Sequence, residues 1–166
     1  TTYADGNIVE NTYTILGQME TVTETNGTTS YTYDINNRLT RIDYPTGNYI
    51  AYSYDLNGNR IGLETANQII AYTFDVLNRM STVTSVDGIT SYTYDAVGNR
   101  ATQTNANGTT ATYSYDNLNR LIDLTHTNSA NTVIASYAYT LGANGNRLSI
   151  TEATGRIVDY TYDALY

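Results

Sequence analysis

The stretch Tyr92-Thr93-Tyr94-Asp95-Ala96-Val97-Gly98-Asn99-Arg100 decides how this chain folds. Its two aromatics lie two residues apart, so on a strand they share one face, while Thr93 and Asp95 take the other. Gly98 and Asn99 are residue types that accept the positive φ of a hairpin turn. Arg100 then opens a strand running in the opposite direction. The stretch reads as a strand, a tight turn and the start of a return strand.

Working outward, the same signature recurs as Tyr31-Thr32-Tyr33-Asp34, Tyr52-Ser53-Tyr54-Asp55, Tyr72-Thr73-Phe74-Asp75, Tyr113-Ser114-Tyr115-Asp116 and Tyr160-Thr161-Tyr162-Asp163. A further copy, Tyr137-Ala138-Tyr139-Thr140, lacks the Asp, and Tyr13-Thr14-Ile15-Leu16-Gly17-Gln18-Met19 reads as one that has decayed further. The leading tyrosines at 31, 52, 72, 92, 113, 137 and 160 are 21, 20, 20, 21, 24 and 23 residues apart. Unequal steps imply loops that absorb insertions. After each turn comes Asn-Arg, at Asn37-Arg38, Asn59-Arg60, Asn78-Arg79, Asn99-Arg100, Asn119-Arg120 and Asn146-Arg147. The distance from second aromatic to Arg alternates between five and six residues, then stretches to eight before Arg147. Each return strand ends at another turn signal, such as Asn26-Gly27, Thr46-Gly47, Asp87-Gly88, Asn107-Gly108 or Thr154-Gly155.

Internal repetition of this kind, with one hairpin per repeat, predicts an all-β chain. The expected architecture is tandem hairpins in a continuous antiparallel, spiralling or shell-like sheet. The array takes in residues 1–166 as a single domain of about seven repeats, clear from 31 to 163 and degenerate over 1–30. Stacking the hairpins sets the Tyr pairs in a ladder on one face, where matched cross-strand pairs contribute roughly 0.2–1 kcal/mol each. The Asp of each copy reads as a turn cap accepting backbone N–H groups, with the following Arg as its ion partner.

The composition agrees. Of nineteen aromatics eighteen are Tyr and one is Phe, with no Trp, so the chain has little purely apolar volume for a dense core. Sixteen carboxylates face eight basic residues, all Arg, for a net charge of −8. Nucleic acid is excluded as a partner, because phosphate binding needs a positive field and no basic stripe exists. The absence of Cys removes disulfides, thiolate catalysis and Cys metal sites, and is in keeping with large bacterial surface proteins. No run of eighteen apolar residues spans a membrane, and residues 1–10 lack the pattern of a signal peptide. The expected location is extracellular or on a bacterial cell surface, with any export signal outside the segment.

No catalytic, cofactor or metal site is expected. An Asp repeated in every copy argues for a structural role, since hydrolytic carboxylate pairs need one perturbed pKa in a specific pocket. His126 is the single histidine, with no Gly-x-Ser-x-Gly elbow to join it, and reads as an incidental polar residue. Asn26-Gly27-Thr28 and Asn107-Gly108-Thr109 fit the glycosylation pattern at the level expected by chance in an Asn- and Thr-rich chain. The Tyr ladder has a functional alternative, because aromatic rows stack on sugar rings. The period-breaking loops after Thr125 and around Leu141 to Asn146 are the candidate contact sites for glycans or cell-surface partners.

Tyr-Asp, a short turn with Gly or Asn, then Arg, as in Tyr94-Asp95-Ala96-Val97-Gly98-Asn99-Arg100, resembles the YD-repeat or Rhs-repeat family. The resemblance runs clearly from Tyr31 to Asp163 and loosely from Tyr3. It implies a long β-sheet spiral wrapped into a hollow shell, which encloses a C-terminal toxin in bacterial Rhs proteins and the C components of insecticidal toxin complexes. In teneurins a similar shell is an adhesion scaffold, and wall-associated bacterial repeats are linked to carbohydrate. The Pro-rich closing motif of the toxin shells is missing, since Pro45 is the only proline. The segment ends at Asp163-Ala164-Leu165-Tyr166, where a turn and Asn-Arg should follow, and so reads as an excerpt of a longer array. The implied role is a structural, non-catalytic section of a toxin-enclosing shell or an extracellular filament, partnered by further repeats, neighbouring subunits or an enclosed toxin.

Overall fold

A computed structural model describes residues 8–163 and 165, so Tyr3, Ala164 and Tyr166 lie outside the described residues. The chain divides into two units, Thr1–Arg79 and Met80–Tyr166. The first holds β1 (Glu10–Tyr13), β2 (Met19–Glu24), β3 (Gly27–Tyr33), β4 (Leu39–Asp43), β5 (Tyr49–Tyr54), β6 (Arg60–Thr65) and β7 (Ile69–Phe74). The second holds β8 (Met80–Ser85), β9 (Gly88–Tyr94), β10 (Arg100–Thr104), β11 (Thr110–Tyr115), β12 (Leu121–Thr127), β13 (Val133–Leu141), β14 (Arg147–Glu152) and β15 (Ile157–Asp159). Strand order in the sheet is chain order, and no described residue is helical. The all-β tandem-hairpin expectation holds.

Within each unit every strand is antiparallel to the next. Register places Tyr31 opposite Ile42, Tyr52 opposite Leu63 and Tyr113 opposite Leu124, so one face collects Tyr and branched aliphatics. Thr32 opposite Arg41, Ser53 opposite Gly62 and Ser114 opposite Asp123 make the other face small and polar. Among the described residues only Ala111, at 6% exposure, is buried. The Tyr pairs are half-buried by their neighbours along the sheet, apart from Tyr160 and Tyr162, which are exposed. With so little buried among the described residues of either unit, stability comes from strand pairing and the same-face ladder more than from a close-packed core.

Register also corrects one repeat. Leu141 pairs with Arg147 as Tyr94 pairs with Arg100, so the seventh copy is Tyr139-Thr140-Leu141-Gly142, two residues later than Tyr137-Ala138-Tyr139-Thr140. Gly142 takes the place of the Asp, its N–H bonding to the Asn146 carbonyl as the Asp95 N–H bonds to that of Asn99. The apparent eight-residue spacing is therefore the ordinary six, and the irregular step reflects the extra length of β13.

At its turn end each of these hairpins contains a bulge, in which one residue of the return strand, such as Thr40 or Ala101, has no opposite number. The ladder to the following strand stops short of the bulge: β4 and β5 pair only as far as Arg41 with Ala51. The Leu39 carbonyl then accepts from the Tyr54 hydroxyl at 2.8 Å. The same bond links Tyr33 to Met19, Tyr94 to Met80, Tyr115 to Arg100 and Tyr162 to Arg147. The second tyrosine of one repeat thus caps the frayed ladder of the repeat before it, satisfying a carbonyl the bulge removes from regular pairing.

Phe74 occupies this position without a hydroxyl. Phe74→Tyr should place an O–H toward the Arg60 carbonyl and stabilise the array by about 0.5–1.5 kcal/mol. A higher urea midpoint at unchanged slope checks it; an unchanged midpoint would remove the hydroxyl from the stability account.

Candidate functional site

Within each unit the Asp-containing turns lie side by side at one edge of the sheet. Each turn is a three-residue loop closed by two backbone bonds. In the Asp34 turn the Asp34 N–H donates to the Arg38 carbonyl at 2.9 Å and the Asn37 N–H to the Asp34 carbonyl at 3.0 Å. The Asp55 turn has the same pair, to Asn59 at 3.0 Å and from Gly58 at 3.2 Å. Both match a type I turn closed by a left-handed residue. That residue is Asn37, Asn78 or Asn119 in alternate copies, at φ 63°, 59° and 60°, and Gly58, Gly98 or Gly145 in the others.

The five- and six-residue spacings are therefore not short and long loops. The loop is constant, and Asn-Arg slides by one position along it. In the first register Arg38, Arg79 and Arg120 sit four residues after the Asp and hold its carboxylate, with nearest N–O distances of 2.7 Å. In the second, Asn59 and Asn99 take that place, donating side-chain N–H at 2.9 and 3.0 Å. Arg60, Arg100 and Arg147 move one residue on and have no carboxylate partner among the described residues. The expected Asp–Arg pairing is thus corrected for the Asp55 and Asp95 turns.

In every one of these turns the carboxylate also accepts backbone N–H groups, as Asp34 does from Asn36 and Arg38, both at 2.9 Å. The acidities follow. The Asp34 and Asp75 carboxyls are held below their ordinary value first by the backbone N–H of Arg38 and Arg79. Asp116 is lowered chiefly by the Arg120 side chain, and Asp55 chiefly by the Asn59 side chain. For Asp95 partial burial pulls upward, but the Asn99 side chain and backbone together outweigh it. In the decayed first copy Thr14 substitutes for the Asp, its hydroxyl accepting from the N–H of Leu16 and Gln18 at 3.3 and 3.2 Å.

Successive turns are tied together. Gln18 donates to the Asn37 carbonyl, Arg38 to that of Asp55, and Asn57 and Asn59 to the Asn78 side chain. In the second unit Asn99 reaches Asn119, and Arg120 reaches the Gly142 carbonyl. Outward from this polar seam, the first or second loop residue is often a fully exposed aliphatic, including Ile35 at 99% and Leu56 at 105%.

The displaced arginines lie on the Tyr face. The Arg60 guanidinium stands 5.5 and 5.6 Å from the Tyr52 and Tyr72 ring centres, Arg100 5.1 Å from Tyr92, and Arg147 4.4 Å from Tyr139. On the opposite face Arg41 pairs with Asp43 at 2.8 Å and covers the Tyr49 ring at 4.0 Å. The Tyr49 hydroxyl donates to Glu64 at 2.8 Å, which raises its pKa. His126 pairs across the strands with Ala111 and Ala135. Among the described residues no group of three or more His, Cys, Asp or Glu is placed to hold a metal, and no helix is long and apolar enough to cross a membrane.

Sequence reasoning missed Asn59 and Asn99 as carboxylate ligands and the tyrosine hydroxyl caps. The five–six alternation was the available signal for the first. The second had none, because a hydroxyl's partner one repeat away depends on the bulge.

Residues 74–110 and 94–133 match the RHS repeat family. No curated protein sequence matches the chain. Among solved structures, the fold is shared with TcdB2-TccC3-TEV at TM-score 0.72 and 19% identity, covering 92% of this chain and 10% of that one. TcdB2-TccC3-Cdc42 aligns at TM-score 0.69 and 20% identity, over 87% of this chain and 9% of the other. A Photorhabdus luminescens Tc holotoxin pore gives TM-score 0.61 and 17% identity, over 92% and 10%. The chain thus spans about a tenth of the length of the solved chains it matches.

Proposed function

We propose that the chain, whose residues 74–110 and 94–133 match the RHS repeat, is an RHS-repeat array that serves as a non-catalytic wall segment of a secreted protein, enclosing a protein cargo of the toxin class. The carrying observation is that within each unit successive repeats are locked together by turn-edge or hydroxyl bonds, while among the described residues only Ala111 is buried. A sheet linked in this way gains stability by extension. This is the behaviour of a wall, whose strength grows with each added repeat. The residues of the repeat signature, from Tyr31, Tyr33, Asp34 and Arg38 to Tyr160, Tyr162 and Asp163, serve the wall itself. The likeness in fold to chains of Tc toxin complexes supports enclosure over an open filament.

Sugar stacking on the Tyr ladder is the competing reading. Arg60, Arg100 and Arg147 cover ring faces that a sugar would need, which counts against it. Electron microscopy of the full-length protein tests the proposal. A hollow particle with density inside is expected, and an open fibre or a solid globule would reject it.

A further inference from the structure

We propose that the Tyr face of the second unit docks an acidic, extended polypeptide through the guanidinium groups of Arg100 and Arg147, neither of which has a carboxylate partner among the described residues. The inference rests on reading the array as a wall with a partner on one side, and it names that side and the partner's chemistry.

The two faces differ in charge. Cross-strand register puts Glu10, Glu64, Asp123 and Asp159 on the Thr/Ser face, where the only Arg, Arg41, is matched by Asp43. On the Tyr face Glu152 is matched by Arg156 and Glu24 stands at the last pair of β2. Against these stand Arg60 in the first unit and Arg100 and Arg147 in the second, all exposed and all without a carboxylate. They occupy the position that Leu39, Met80 and Leu121 fill in alternate hairpins, so the cation is not needed to build the hairpin. Each is held over a Tyr ring, which orients the guanidinium at little entropic cost; the Arg100 Nη1 makes one long bond to the Gln103 side chain at 3.4 Å, which a planar carboxylate would replace.

The net charge of −8 chooses among anions. A dense polyanion such as nucleic acid or a sulfated glycan is repelled by the field of the whole array, whereas spaced carboxylates gain local pairing without that penalty. Arg100 and Arg147 lie on β10 and β14, four strands apart, or roughly 19 Å at about 4.8 Å per strand. An extended peptide covers that distance in about six residues. The same face supplies half-buried Tyr and aliphatic surface to the side chains between.

The test uses a short fluorescein-labelled Ser/Thr-rich peptide carrying two glutamates about six residues apart, read by anisotropy against the purified chain. Salt-sensitive binding is expected, weakened about tenfold or more by Arg100→Gln/Arg147→Gln. It should be retained in Arg41→Gln/Arg156→Gln, which changes the net charge equally. No binding at low salt, equal loss in both pairs, or binding of dextran sulfate in place of the spaced-glutamate peptide would overturn the proposal. If the Gln pair loses its strand dichroism, Arg100→Lys/Arg147→Lys carries the test. That pair keeps the charge but not the fork, so weaker binding is expected and unchanged binding contradicts. Failure here would leave a hollow particle intact in the microscope, so the wall reading stands or falls separately.

Discussion

Replacing Gly27 by Val should destabilise the first unit by about 3–4 kcal/mol, the largest effect expected of any single substitution in the array. Gly27 follows the two-residue loop Thr25-Asn26 and opens β3 at φ 122°, a conformation that costs a side-chain-bearing residue about 1–2 kcal/mol. A Cβ there would also lie 2.5 Å from the Cβ of Pro45, in the next turn along that edge. The proline ring cannot rotate away, so the backbone of one turn or the other must shift. Gly17→Ala separates the two costs, since Gly17 has φ 79° and open space around it. Urea unfolding should show the Gly27 variant losing at least about twice as much as the Gly17 variant. Equal losses would mean that turns on this edge do not bear on each other.

The second large effect is acid unfolding. Asp34, Asp55, Asp75, Asp95 and Asp116 all have pKa values lowered on folding from an ordinary 3.8. A depressed carboxyl contributes stability that is fully present above its unfolded value and is lost as pH falls through its folded one. The array should therefore keep its strand dichroism from neutral pH down to about 5 and lose it progressively below about 4. Five caps of one kind titrating together make this a cooperative transition. Replacing all five by Asn keeps acceptors for the turn N–H groups but removes the ionisation, and should flatten the profile below about pH 4. A wild-type array stable at pH 2 would show that the caps contribute little.

Much of this was legible in the residues. A two-residue spacing of aromatics reads directly as one face of a strand, and Asn or Gly before Arg reads as a turn, because both depend on local backbone geometry alone. Six of the Tyr-x-aromatic pairs stand where the repeat puts them, and the Asp of each described turn accepts the backbone N–H groups that its chemistry anticipates. Local reasoning went wrong at Tyr137. Two alignments, Tyr137-x-Tyr139 and Tyr139-x-Leu141, compete there; the first fits the Tyr-x-Tyr pattern, and only pairing with β14 selects the second.

The split among the arginines was hidden for a related reason. Asn-Arg looks identical in every copy, but shifting it by one position against a constant loop takes the Arg off the carboxylate and leaves it only the Tyr rings, whereas Arg38 holds Asp34 and also stands 4.5 Å over the Tyr54 ring. On a strand one residue is a change of side. The sequence by itself thus determined the strand, the turn and the repeat, all of which are settled within a few bonds. Which partner each Arg meets, and which carbonyl each Tyr hydroxyl reaches, was decided only in the tertiary structure, because both depend on cross-strand register and on a bulge that removes one rung from the ladder.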